Sequence, residues 1–125
     1  MDVDSFIEAV TPLLKAHGFK KSRFTWRKDQ GESIAVFNVQ KSAWGGGIYY
    51  VNIGAFFLEF EDQASPTEYQ CHVRRRLEIS EPKAVVERAI EWFSDRATVA
   101  AASSLAEADS NKGLVFHALR NARSA

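Results

Sequence analysis

Phe6, Val10, Leu13 and Leu14 recur at three- and four-residue spacing near the start of the chain, a period that predicts an amphipathic helix. Asp4 is the expected cap, and His17-Gly18 the expected end, where glycine supplies the positive φ of a helix terminus. Pro12 removes one internal hydrogen bond from this helix and predicts a kink.

The period then drops to two. From Phe19 to Lys28, Phe24 and Trp26 share one side while Arg23, Thr25 and Arg27 share the other, as in a strand. Asp29-Gln30-Gly31 carries hairpin-turn chemistry. A second strand is predicted over Glu32 to Ser42, with Phe37 and Val39 on one side and Asn38 and Gln40 on the other. Trp44 and the glycines Gly45 to Gly47 form the next turn. The run from Ile48 to Phe60 is apolar on both sides, which suits a central strand covered on both faces. Gly54 within it signals a bulge or another group lying close to the backbone.

Polar residues and Pro66 over 61–70 predict a loop. A fourth strand follows from Cys71 to Ile79, with Val73, Leu77 and Ile79 opposite His72, Arg74 and Arg76. Ser80-Glu81-Pro82 starts a helix whose apolar stripe is Val86, Ala89, Ile90, Phe93 and Ala97. The alanines at 100–102 either continue that helix or break it near Ser103-Ser104, and Leu114, Val115, Ala118 and Leu119 predict a last short helix. Strands follow one another between helices. The expected architecture is therefore α+β: an N-terminal helix, a three- to four-stranded largely antiparallel sheet and C-terminal helices packed on one face. No repeat or linker divides residues 1–125, which read as a single domain.

Composition agrees with one soluble core: the chain is 46% hydrophobic and 26% charged over 125 residues. Sixteen basic residues balance sixteen acidic ones, which argues against a general nucleic-acid binder. No apolar run approaches the ~20 residues that span a bilayer, so no membrane partner is expected. Cys71 is the single cysteine, so an intramolecular disulfide and multi-cysteine zinc sites are excluded. With no secretory pattern at the start, the expected location is the cytoplasm.

Neutral net charge conceals an uneven distribution. Six basic residues and no acidic one fall between Lys15 and Lys28, Arg74-Arg75-Arg76 adds a second basic block, and Glu59, Glu61, Asp62 and Glu68 form an acidic segment. Such runs are most often solvated surface, and the sharper alternative is an anion-binding or protein-docking face.

Strand parity yields a more specific set. If the helices cover the side carrying Phe24, Trp26, Phe37, Val39, Val51 and Ile53, the other side presents Arg23, Arg27, Asn38, Gln40, Tyr50, Asn52 and Arg74. Amides, a phenol and guanidinium groups suit recognition of a carboxylate, a phosphate or a peptide backbone. Equally weighted is the reading in which the amides satisfy one another and nearby backbone groups at a sheet edge. Catalytic arrangements fare worse. Adjacent strand residues point to opposite faces, so Cys71 and His72 cannot pair as nucleophile and base, and Cys71 is expected to be a small buried hydrophobe. His17 and His117 stand alone in their segments, with no metal-ligand or calcium-loop spacing, and the glycine triplet lacks the Lys-Ser/Thr of a phosphate loop. No cofactor, metal or catalytic residue is expected.

The order of segments resembles a known family. A helix ending in HGFKK is followed by FTWRK, FNVQKSAW, a glycine turn, YYVNIGAFF and CHVRRRL. This set resembles the DUF4304 family, bacterial domains of unknown function, over roughly residues 4–80, and fades after Pro82. The resemblance implies a compact cytoplasmic α+β domain and brings no activity with it. In the family pattern Gln40, Ser42, Asn52, Gly54, Cys71 and an arginine near Arg76 have counterparts.

The leading expectation is a small non-enzymatic binding module whose polar sheet face holds an anionic or peptide-like partner, either a protein, a peptide or a small anionic ligand. One alternative is an enzyme acting on a phosphorylated or carboxylated small molecule, with arginines as clamp and Glu59 or Glu61 as base. The other is an antitoxin-like partner docking through the acidic segment from Glu59 to Glu68.

Overall fold

A computed structural model describes residues 1–43, 46–109 and 114–115. The elements run α1 (Val3–Ala16), β1 (Lys20–Ser22), β2 (Thr25–Asp29), β3 (Ser33–Lys41), β4 (Tyr49–Phe57), β5 (Val73–Leu77), α2 (Pro82–Asp95), α3 (Val99–Asp109) and β6 (Leu114–Val115). The strands pair antiparallel in sequence order, so the sheet has five strands and a two-residue sixth at its β5 edge.

The α+β expectation holds, with more strands than the three or four read from the sequence. The predicted first strand divides because Ser22 pairs with Thr25 across a two-residue turn. Arg23 stands in that turn with φ 57°, a left-handed backbone that costs a residue with a Cβ about 1 kcal/mol. Phe24, expected in the core, is instead 42% exposed in the same turn, with the Lys41 ammonium 4.9 Å from its ring centroid. Leu114 and Val115 pair with Arg74 and Val73 as β6, where a helix was expected. His117, Ala118 and Leu119, like Trp44 and Gly45, lie outside the described residues.

The helix boundaries follow local chemistry. Asp2, not Asp4, caps α1, its Oδ1 accepting from the Ser5 N–H at 2.8 Å, and that bond holds the Asp2 carboxyl below its ordinary pKa. Pro82 opens α2, as expected. The chain breaks after Asp95 and restarts because Thr98 offers a new cap: its Oγ1 accepts from the Ala101 N–H at 3.1 Å. At the β2–β3 turn Gly31 takes φ 91° and donates to Asp29 Oδ1 at 2.7 Å.

One face of the sheet carries the main core. Trp26, Phe37, Val39, Val51, Ile53 and Phe57 lie against Phe6, Val10 and Leu14 of α1 and Val85, Val86, Ala89 and Phe93 of α2. Trp26 and Phe37 meet edge-on at 5.7 Å, and Phe19 bridges to Phe93 at 5.6 Å. Each such side chain, removed from water, contributes roughly 1.5–3 kcal/mol before entropy is counted.

The opposite face is covered over part of its area by the excursion at residues 58–72. There Ile34, Val36, Phe56 and Cys71 form a second, smaller apolar cluster with Leu58 against it. Gly54 lies beneath this excursion, and a Cβ added there would sit 2.6 Å from the Cys71 Cβ. The close approach signalled by glycine in mid-strand is therefore that of the Cys71 side chain.

His72, next in sequence, packs on the same cluster, its ring centroid 4.7 Å from that of Phe56. Its Nδ1 accepts the Phe57 backbone N–H at 3.0 Å, and its ring lies 5.2 Å from that of Phe60. Burial lowers its pKa from the ordinary 6.5, against a smaller opposing pull from Glu61. A histidine with a lower pKa when folded binds fewer protons folded than unfolded. Its contribution to stability is complete above pH 6.5 and is lost as pH falls through the folded pKa. Urea titrations from pH 8 to 5 should show this loss in the wild type. His72→Asn retains an acceptor without the titration, and its curve should be flatter below pH 6.5.

Candidate functional site

Strand register decides which side chains share the face opposite α1 and α2. One row across the sheet is Ser22, Thr25, Asn38, Asn52 and Arg76. The next row is Lys20, Arg27, Val36, Gly54 and Arg74. Gln40 and Tyr50 face each other on the far side of the amide row. Of the residues expected on a polar face, Arg27, Asn38, Gln40, Tyr50, Asn52 and Arg74 therefore share it. Arg23 sits at its margin in the β1–β2 turn.

The amides form a directed ladder. Arg76 Nε donates to Asn52 Oδ1 at 3.0 Å. Arginine has no acceptor, so this contact fixes which end of the Asn52 amide is oxygen. Asn52 Nδ2 then donates to Gln40 Oε1 at 2.9 Å and to Asn38 Oδ1 at 3.4 Å. Asn38 Nδ2 donates onward to Thr25 Oγ1 at 3.1 Å and to the Phe24 carbonyl at 3.3 Å. Asn52 is buried at the centre, Asn38 half-buried, and Gln40 and Arg76 exposed at the ends. Arg76 also stacks over Tyr50, its Cζ 4.2 Å from the ring centroid.

The amides satisfy one another on the two central strands, not at the sheet edge expected for that reading. Asn38 and Asn52 are satisfied within the sheet. At the exposed ends, Gln40 Nε2 and the two terminal nitrogens of Arg76 make no hydrogen bond among the described residues. All of these unspent groups are donors.

Two of the arginines are committed to structure. Arg27 Nε donates to the Pro66 carbonyl at 2.7 Å. Arg74 forms a two-pronged pair with Glu68, 2.8 Å from Nε to Oε1 and 3.2 Å from Nη2 to Oε2, and lies 5.3 Å from the Tyr69 ring centroid. Together they pin the excursion to the sheet. Glu68 of the acidic segment is consequently buried and neutralised, while Glu59, Glu61 and Asp62 remain exposed. Arg76 was legible in the sequence, since it has the same parity as Arg74. The Arg27–Pro66 contact joins residues 39 apart, and nothing local in the sequence announces it.

The remaining chemistry is spare. Burial first, and the neighbouring Glu68 second, push the Cys71 thiol far above its ordinary pKa, so the nucleophilic thiolate is disfavoured. Among the described residues no group of three or more His, Cys, Asp or Glu is placed to hold a metal ion, and no helix is long and apolar enough to cross a membrane.

A family model described as a domain of unknown function, DUF4304, matches residues 10–107. The chain belongs to the DUF4304 family. The match runs well past Pro82, so α2 and most of α3 are part of the DUF4304 domain, whereas the sequence resemblance faded at the start of α2. No curated protein and no solved structure matches this DUF4304 chain significantly.

Proposed function

We propose that this DUF4304 domain is a non-enzymatic binding module, and that its partner presents oxygen acceptors to the open sheet face as a carboxylate or a peptide backbone. The observation that carries this reading is the polarity of the ladder. Arg76 anchors its direction, each amide oxygen inside it accepts a hydrogen bond, and the N–H groups left facing outward at Gln40 and Arg76 are donors. A partner rich in acceptors gains hydrogen bonds there without leaving a donor of its own unpaired. Tyr50, held under the Arg76 guanidinium, supplies a flat apolar platform beside those donors. The Arg76 fork suits two-pronged binding of a carboxylate.

Peptides selected from a random display library against the folded protein should be enriched in Asp, Glu or a free C-terminus. They should lose about tenfold or more in affinity for Gln40→Ala or Arg76→Gln, the order expected when a charge-assisted contact is lost. Asn52→Ala should weaken them too, since the ladder then no longer orients Arg76. Equal capture by wild type and variants of unchanged thermal midpoint would eliminate the reading.

A further inference from the structure

The basic block between Lys15 and Lys28 plays no part in the ladder, and its position in the fold gives it a separate use. Between the β1–β2 edge and the tip of the 58–72 excursion lies a cleft of about 480 Å³. Its walls include four cations, Lys20, Lys21, Arg27 and Lys28, against one acid, Asp29. The Asp29 carboxylate already accepts the Gly31 N–H. None of the four cations has an ion-pair partner among the described residues.

We propose that this cleft is a binding site for a small phosphorylated molecule. Lys20 and Arg27 reach the cleft from the open face of the sheet. Lys21, its ammonium 5.7 Å from the Trp26 ring centroid, and Lys28, its stem beside Gly18, line it from the other face at the sheet edge. Cations gathered from both sides of an edge suit an anion of concentrated charge better than a single carboxylate. Arg27 is held in place beforehand, with its Nε bound to the Pro66 carbonyl at 2.7 Å, and its terminal nitrogens make no hydrogen bond among the described residues. A guanidinium held in this way loses little freedom on meeting a phosphate. Lys20 is opposite Arg27 in the β1–β2 register and shares its face. Ser22 lines the same cleft, as does Ser65 on the excursion. Ile34, buried at 7% exposure, gives the cleft an apolar wall for the body of the ligand.

Charge around the cleft selects a compact ligand over a long polyanion. The excursion that forms one wall also carries exposed Glu59, Glu61 and Asp62, and the whole chain has a formal charge of zero. A nucleic-acid backbone or an anionic membrane needs a wider basic surface than a chain of this charge presents, and a small phosphate ester does not.

Inorganic pyrophosphate is a direct probe, titrated at constant ionic strength into the full chain and followed by amide NMR and thermal midpoint. Saturable shifts confined to residues 18–29, Ile34 and residues 64–65, with a rise in midpoint, are the expected result. Lys20→Gln with Lys28→Gln should weaken the saturation constant about tenfold or more, while Lys83→Gln on α2 leaves it unchanged. Shifts that never saturate, or that appear equally at Lys15, Lys41 and Lys83, would reduce the cleft to ordinary counterion attraction and overturn the proposal. So would an unaltered constant in the double variant, or binding of an oligonucleotide or anionic vesicles in the absence of any pyrophosphate binding.

Discussion

Gly54→Ala should lower the free energy of unfolding by about 2–3 kcal/mol, and Gly54→Val by more, when measured by urea denaturation. The new Cβ would stand 2.6 Å from the Cys71 Cβ, 2.7 Å from its Sγ and 3.2 Å from the Val73 carbonyl. None of these atoms is the end of a flexible side chain. Cys71 is fully buried among Ile34, Val36 and Phe56, and its backbone N–H donates to Glu68 at the close of a 3-10 turn spanning Glu68–Gln70. Relief would require the excursion to lift from the sheet. Backbone strain is not the cause, because Gly54 does not take a positive φ. Cys71→Gly removes both opposing atoms, so the double variant Gly54→Ala/Cys71→Gly should be more stable than the sum of the single losses predicts, by about 1 kcal/mol or more. Simple additivity would show that the two residues do not meet.

Arg74→Met should cost about 2–3 kcal/mol and should loosen the excursion preferentially. The Glu68 side chain is only 9% exposed and that of Arg74 20%, so removal of the guanidinium leaves a carboxylate shielded from water without its partner. The energetic burden falls on the orphaned charge more than on the lost attraction. Adding Glu68→Gln to Arg74→Met should therefore recover part of the loss, since a neutral amide is cheaper to bury. Limited proteolysis within residues 58–70 should accelerate in Arg74→Met and slow again in the double variant. If Arg74→Met denatures like the wild type, the pair does not hold the excursion down.

The sheet was readable from the sequence because its physical signal is local. A side chain alternates faces at every residue, so Phe37, Val39, Val51 and Ile53 separated from Asn38, Gln40 and Asn52 without knowledge of any partner. Gly54 was readable for a similar reason, since a glycine in an apolar strand needs an explanation in space. The failures have the opposite character. Arg23 and Phe24 continue the alternation of β2, yet the chain turns there through a left-handed arginine that composition does not favour. Leu114 and Val115 fit a helical period, yet they pair with the open edge of β5. The candidate site shows the same division. Its amides followed from parity, whereas the tying of Arg27 to Pro66 and of Arg74 to Glu68 depends on where an irregular segment comes to rest.

The most direct test of the binding surface is the NMR response of its own side chains to a library-selected peptide. The Arg76 Nε–Hε signal and the side-chain amide of Gln40 should shift together and saturate at one affinity, with smaller changes at the Asn52 amide behind them. Stationary signals at all three residues while the peptide binds elsewhere would refute the binding surface, and the ladder would then serve only to hold the strands together.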